Sequence, residues 1–314
     1  MNRLRILSAW MLMALPVVLC AQSAPLRAHF SVEEYLVDGH YPHGHATRDR
    51  YFRPYALLES GDWSLTATYW SYPACHFYEV DDTHLDYDDG SLHVKVGRFL
   101  VPVGQDDWDD EWYSGTVFMP MIQLIRYGSF GALWHTSTGA EASVPVGPGT
   151  FTAALVSSSQ QKNQLLPDDF DRAVFRYQGY VQGLTYGVSA LTDSKGLGKD
   201  ERLLDLDLRY TTPHFIARGE MLGYSTTGST NEGFYVDLYH RPAGWQDVLF
   251  VGRFEAYHFS KGTRLGRKER TTLGAKVRAP FDSTLMVNYI FGPSINGFFL
   301  GGAWAIGLTK TLRF

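Results

Sequence analysis

Two residues with the chemistry of a hydrolytic pair, His135 and Ser137, stand two positions apart in this chain. Residues at positions i and i+2 of a β-strand share a face, so the imidazole of His135 could act as a general base for the Ser137 hydroxyl. Trp134, Ala140 and Ala142 form the apolar face of the same segment, which turns the pair to the opposite, polar side. No third catalytic member or oxyanion motif accompanies the pair, so ester hydrolysis is an alternative interpretation.

The second chemical feature is an acidic run interleaved with Trp108 and Trp112. Charged side chains that ring a pore set its ion selectivity, so carboxylates gathered in a narrow passage would attract cations and repel phosphate. The alternative is a surface loop whose carboxylates are either solvated or bind divalent cations. The carboxylates of the run are Asp106, Asp107, Asp109, Asp110 and Glu111.

Other reactive side chains predict no cofactor and no metal site. His40, His43 and His45 lie in a polar stretch where exposed imidazoles are the simpler interpretation. The chain has two cysteines, Cys20 and Cys75, with no zinc-type spacing, and it has no Gly-rich phosphate loop. The net charge of -5 argues against nucleic acid as a partner.

The N-terminus predicts export. Arg3 and Arg5 precede an apolar run over residues 6–20, and small residues follow. A basic segment, an apolar segment and a small-residue cleavage region together make a secretory signal peptide. We therefore expect residues 1–23 to be cleaved, leaving 24–314 as one domain.

The rest of the chain alternates with a period of two. Leu204, Leu206 and Leu208 share one face of a strand, and Asp205 and Asp207 share the other. Barrel walls combine such alternation with many aromatic residues, which make up 15% of this chain. No continuous apolar stretch of 18 residues follows the signal segment, so the pattern predicts strands rather than membrane-spanning helices.

Short turn signals alternate with longer polar stretches along the chain. This alternation is typical of a barrel with short connections at one end and long loops at the other. Counting strands between them predicts an all-β, antiparallel, up-and-down barrel of about sixteen strands. Asp81 and Asp82 interrupt the fourth strand, and its loss with a partner would leave fourteen. The predicted ranges are 28–38, 48–58, 63–71, 76–88, 91–100, 130–145, 150–158, 171–181, 184–192, 201–211, 214–224, 232–241, 247–259, 268–278, 283–291 and 303–314.

The C-terminal strand carries a resemblance to a known superfamily. Trp304, Ile306, Leu308 and Leu312 alternate towards the terminal Phe314, although Lys310 interrupts the pattern. This ending resembles the closing strand of bacterial outer-membrane β-barrels. The resemblance implies a transmembrane barrel, Phe314 as the signal for the barrel-assembly machinery, and outer-membrane lipid and lipopolysaccharide as surroundings.

The longest connection, residues 101–129, resembles a loop of the porins in its place along the chain. The third external loop of sixteen-stranded porins lies at this position and folds inward to narrow the channel. The segment Val94–Gly104 also resembles the corresponding part of the phosphate-selective porin O/P group. That group has a lysine-rich constriction where this chain has its acidic run, so we expect the constriction here to be acidic or the run to lie at the external mouth.

Assigning the apolar set of each strand to lipid leaves a charged set facing the lumen. The assignment rests on the cost of about 2–4 kcal/mol for Arg or Lys at the lipid-facing midplane. These charges would either create an electric field across the lumen or pair with one another across strands. The predicted lumen-lining residues are Lys95, Arg172, Arg176, Asp205, Asp207, Arg209, Arg218, Glu220, Asp237, Arg253, Glu255, Arg270 and Lys276.

The sequence therefore favours a non-enzymatic porin for passive diffusion of small hydrophilic solutes or ions, and the porin resemblance implies a homotrimer. Two alternatives remain. His135 and Ser137 resemble the His/Ser pair of outer-membrane lipid hydrolases, and a structural or export barrel gated by partner proteins would also fit the strand pattern.

Overall fold

The computed structural model is a closed barrel of sixteen antiparallel strands in chain order, with β1 paired to β16. The structure describes residues 24–40, 46–72, 77–104, 136–157, 170–193, 201–226, 228–261, 264–280, 283–292 and 303–313. The strands are β1 Arg27–His40, β2 Ala46–Ser60, β3 Trp63–Tyr72, β4 Phe77–Asp88, β5 His93–Leu100, β6 Thr136–Val146, β7 Gly149–Val156, β8 Arg172–Val181, β9 Leu184–Asp193, β10 Arg202–Thr211, β11 Phe215–Thr226, β12 Ser229–His240, β13 Val248–Lys261, β14 Arg264–Ala279, β15 Ser283–Phe291 and β16 Ala303–Arg313.

The predicted strand count of sixteen is confirmed, and the alternative of fourteen is wrong. β4 is present despite its two aspartates because its pairing with β3 shifts register there. Ala67 lies opposite Thr83 and Tyr69 lies opposite Val80, so β4 carries one extra residue at this point. A bulge of this kind accommodates residues that break the alternation without ending the strand.

The connections are asymmetric, although less so than the sequence predicts. One end of the barrel, the turn end, has short connections such as Gln182–Gly183, where both residues have positive φ. A two-residue turn with positive φ at both positions matches the twist of the strands that it joins. At the opposite end, the loop end, β11 reaches Thr226 and β12 begins at Ser229, so the long loop predicted over 225–231 is wrong.

The outer face is apolar and exposed. In β10, Leu204 is 55% exposed, whereas its neighbour Asp205 is fully enclosed. Lys310, which interrupts the terminal pattern, also lies on the outer face, and its position in the register is directly opposite Glu34 of β1. A carboxylate therefore stands beside the lysine that departs from the apolar pattern.

The inner face carries the polar set and also an apolar cluster that the sequence did not predict. Buried side chains from β5 and from β7 to β13, together with Val101 and Val103, form one continuous cluster. The cluster consists of Phe99, Val101, Val103, Ala154, Val156, Val174, Leu191, Leu203, Leu222, Tyr224, Tyr235 and Tyr257.

No helix among the described residues is long and apolar enough to cross a membrane.

Candidate functional site

The barrel interior gathers most of the charged residues that the sequence singled out. On β8, β9 and β10, Arg176 Nη1 lies 2.8 Å from Asp207 Oδ2, although the two residues stand on strands that do not pair with each other. The strand between them contributes Gly187, which lies opposite both Gln178 and Asp207. Because Gly187 has no side chain, the guanidinium and the carboxylate meet over its backbone.

The chain leaves β5 towards the inside of the barrel. Val101 and Val103 are 1% exposed, and the backbone N–H of Gly104 donates to Ser189 Oγ at 3.1 Å. Ser189 belongs to β9, four strands away from β5 around the barrel. A segment that follows β5 and contacts the inner face of β9 must cross the interior, so the start of the longest connection turns inward.

The inward-turning segment lies in the apolar cluster. Val101 and Val103 share it with Val156, Val174 and Leu191 from the inner faces of β7, β8 and β9. The side chains of a wide barrel do not fill its interior, so wall residues with almost no exposure require chain inside the barrel to cover them. Val101–Gly104 lies inside the barrel against these wall residues.

Asp237 is the centre of a charged network on β11, β12 and β13. Its carboxylate accepts from Arg218 Nε at 2.8 Å and from Arg253 Nε at 2.6 Å, and each arginine lies directly opposite Asp237 on a neighbouring strand. Tyr239 donates its hydroxyl to the same carboxylate at 2.7 Å. Two guanidiniums around one carboxylate are stable here because the pairing offsets the desolvation of three enclosed charges.

Other predicted residues are paired in the same way. Arg270 Nε lies 2.6 Å from Glu255 Oε1. Arg172 donates to Glu201 Oε2 at 2.6 Å, and Tyr235 donates its hydroxyl to Glu220 at 3.1 Å. The cross-strand pairing that the sequence left open as an alternative is therefore present on β8 to β14.

A further group of ionisable side chains lies on the inner face of β4 and β5. His84 lies between Asp82 and Asp86, with 2.9 Å from a ring nitrogen to an oxygen of each, and His93 Nε2 lies 2.9 Å from the other Asp86 oxygen. The two carboxylates therefore flank the imidazole of His84, one beside each ring nitrogen. Among the described residues, no group of three or more His, Cys, Asp or Glu side chains is arranged to hold a metal ion.

The inner faces of β1 and β2 are more accessible than the enclosed ion pairs on β10 to β14. The side chains of Glu33 and Arg53 are 27% and 13% exposed, and their charged atoms are 3.8 Å apart. The enclosed pairs on β10 to β14 have at most a few per cent exposure. The accessible part of the described inner wall therefore includes β1 and β2.

The remaining predicted residues have these positions. Lys95 lies opposite Asp86 and Glu141, and Lys276 lies opposite Met286. Asp205 is enclosed, and Arg209 is half-buried opposite Arg218.

Several predicted positions lie outside the residues that the structure describes. They include the acidic run of residues 106–111, together with His43, His45, Cys75, His135 and Phe314. Ser137 is described: it is buried opposite Phe99, on the inner face. Its hydroxyl therefore points away from the outer surface, where acyl chains would be cleaved.

Sequence reasoning missed the apolar cluster because it assigned every apolar set to the outside. The signal was present in adjacent apolar pairs near the loop end. In Leu203–Leu204 and Met221–Leu222, one residue of each pair faces outward and the other is buried inside. Alternation that breaks into consecutive apolar residues indicates a strand with two apolar faces.

Comparison with known proteins shows the fold. OmpF of Salmonella typhi, in complex with daunomycin, matches with a TM-score of 0.68 and 11% identity, over 93% of this chain and 98% of that chain. The anion-selective porin from Comamonas acidovorans gives a TM-score of 0.66 at 11% identity, over 92% of this chain and 100% of that chain. A mutant of Rh. blastica porin gives 0.59 at 9% identity, over 91% and 100%.

No family model and no curated protein matches the sequence. The resemblance of Val94–Gly104 to the phosphate-selective porin O/P group finds no confirmation in these comparisons and stays a prediction. The structural similarity establishes that this chain has the barrel fold of the solved porins.

Proposed function

We propose that this chain is a bacterial outer-membrane porin, a water-filled channel through which small hydrophilic solutes or ions diffuse passively. The observation that carries the proposal is the sorting of side chains on a closed barrel of sixteen strands. Leu204, Leu206 and Leu208 face outward, whereas Asp205 and Asp207 are inside. Such a wall suits hydrocarbon outside and water inside, and a barrel of this width has room for a passage.

The acidic run, Asp106 to Glu111, narrows this passage in our proposal. Support comes from the segment directly before it, because Val101–Gly104 already lies inside the barrel and Gly104 contacts β9. The first carboxylate of the run follows Gly104 by two residues, which favours a position of the run in the interior over one at the rim.

We infer a preference for cations. The acidic run and the basic wall would act in opposite directions if both were free. However, the guanidiniums of Arg176, Arg253 and Arg270 each lie within 2.8 Å of a carboxylate. Paired wall charges contribute little net potential, which leaves the carboxylates of the run to set selectivity. The predicted lumen-lining residues then act mainly by shaping the passage and keeping it polar.

Reversal potentials in a salt gradient across a planar bilayer test this proposal. We expect the wild-type channel to favour cations, and replacement of Asp106, Asp107, Asp109 and Asp110 by Asn to shift the reversal potential towards anions. Glu269→Gln is the matched control, because Glu269 lies on the outer face beside Arg267 and should leave the potential unchanged. An unchanged reversal potential in the fourfold variant would show that the run does not lie in the constriction.

Maturation and assembly complete the proposal. Residues 1–23 would be removed on export, Phe314 would be recognised by the barrel-assembly machinery, and the barrel would lie in lipid and lipopolysaccharide. A homotrimer is proposed on the porin-like fold, and OmpT of Vibrio cholerae, whose trimer form has been solved, matches with a TM-score of 0.63. The mass of the detergent-solubilised complex would measure the oligomeric state.

A further inference from the structure

We propose that Ser189 is a positioning residue that fixes Val101–Gly104 across the barrel interior, with Arg176 and Asp207 holding its side chain in place. The inference rests on the channel function proposed above and assigns to named wall residues the control of its geometry. It concerns only described residues on β8, β9, β10 and the segment after β5.

Ser189, Arg176 and Asp207 together hold Gly104, and we call these three wall residues the clamp. Ser189 Oγ accepts from the Gly104 N–H at 3.1 Å and from Arg176 Nη1 at 2.7 Å. The same Nη1 lies 2.8 Å from Asp207 Oδ2. A hydroxyl oxygen has two lone pairs, so it can accept both hydrogen bonds at once. The carboxylate holds the guanidinium, the guanidinium orients the hydroxyl, and the hydroxyl holds the backbone of Gly104.

The clamp is buried, and the backbone conformation of Gly104 suits the contact. Ser189 is 1% exposed, and Arg176 and Asp207 are both almost fully buried, so water does not compete freely for their hydrogen bonds. Gly104 has a φ of 73°, a conformation that glycine adopts readily and that turns the chain at the contact. Val101 and Val103 pack in the apolar cluster on the same side of the interior.

The apolar contacts and the clamp have different roles. Packing against Val156, Val174 and Leu191 keeps the segment on the wall but is non-directional. The hydrogen bond from Gly104 is directional and fixes where along β9 the chain sits. Loss of the Ser189 hydroxyl should therefore leave the segment near the wall but allow it several positions.

Single-channel recording of Ser189→Ala in planar bilayers tests this role. Because one hydrogen bond contributes a net amount that corresponds to about a two- to tenfold change in population, we expect a two- to tenfold rise in the time spent at secondary conductance levels. Ser189→Thr, which keeps the hydroxyl, should restore the wild-type record. Ser143→Ala is the control, because the Ser143 hydroxyl is buried on the inner face but bonds Thr152 at 2.8 Å instead.

A second measurement does not depend on conductance. In a Cys75→Ser background, Val103→Cys should react with a thiol reagent about two to ten times faster when Ser189→Ala is added. If both the conductance levels and the thiol reactivity match those of Ser143→Ala, the positioning role is wrong. A wild-type protein without any conductance would instead contradict the proposed function, and the thiol reactivity would still test the clamp.

Discussion

Arg176 and Asp207 form an ion pair across an intervening strand, with 2.8 Å between Nη1 and Oδ2. Side chains on strands separated by a third one normally lie too far apart for direct contact, since neighbouring strands are about 4.8 Å apart. The pair is possible because Gly187 lies directly opposite Asp207 on the strand between them. A single glycine therefore allows the wall charges of β8 and β10 to neutralise each other.

Adding a methyl group at this point should separate the pair. In Gly187→Ala, the new Cβ would collide with Asp207 Oδ2 and lie 2.7 Å from Arg176 Nη2. We expect a loss of about 1–3 kcal/mol in the free energy of unfolding, because both side-chain ends must shift and their charged hydrogen bond is weakened. Urea unfolding in lipid vesicles measures it. Gly223→Ala is the matched control, because nothing lies within 4 Å of its new Cβ, and equal losses in both variants would contradict the steric argument.

Removing the charge of Asp237 should destabilise the barrel strongly. Asp237→Asn leaves Arg218 and Arg253 enclosed without the carboxylate that both contact. Breaking a buried pair by changing one partner costs about 3–5 kcal/mol. The control is Glu269→Gln, whose partner Arg267 is exposed, and its effect should stay below about 1 kcal/mol. Similar unfolding midpoints for the two variants would show that the network carries no stability.

A charged residue on the outer face should destabilise the barrel more strongly the closer it lies to the membrane midplane. Leu206 lies in the middle of β10 on the outer face, and Tyr210 lies near the turn end of the same face. We expect Leu206→Arg to cost about 2–4 kcal/mol in folding into phospholipid vesicles, and Tyr210→Arg about 0–1 kcal/mol. If the order were reversed, or both substitutions were neutral, this face would not meet hydrocarbon.

The contribution of the turn between β4 and β5 to stability should depend on pH. Asp89 Oδ1 accepts from the Ser91 hydroxyl at 2.7 Å and from the N–H groups of Ser91 and Leu92, both at 2.9 Å. The Ser91 hydroxyl is the largest cause, and together these bonds lower the pKa of Asp89 from 3.8 to about 2. The folded state therefore favours the carboxylate, so its contribution is complete above about pH 4 and is lost as the pH falls through about 2.

Comparing Asp89→Asn with the wild type between pH 5 and pH 2 measures this contribution. The difference in unfolding free energy should shrink as the pH is lowered. A difference that is constant over this range would show that the carboxylate is not held by the turn.

The fold was predictable because alternation and turn chemistry act locally. Leu204 to Asp207 sort by face without reference to any distant residue, and Gln182–Gly183 specifies its turn by backbone conformation alone. Strand ends were less predictable at the loop end. β14 begins at Arg264, four residues before the predicted start, because pairing with β13 continues where the polar sequence indicates a loop.

The interior was predictable in its residue types but not in its partners. Periodicity places Arg176 inside, yet its contact with Asp207 depends on the register of two strand pairs and on the space above Gly187. The contact of Gly104 with Ser189 joins residues 85 positions apart, which no local pattern records. The apolar cluster was missed for a related reason, since Val174 and Leu191 have their partners in a segment that folds inward.

Conductance of the purified protein in a planar lipid bilayer tests the central proposal most directly. We expect discrete, ohmic conductance steps that persist without any added partner protein, with a reversal potential on the cation side in a salt gradient. A folded barrel that inserts into the bilayer and passes no current would contradict it, because the inner wall would then enclose no continuous aqueous path.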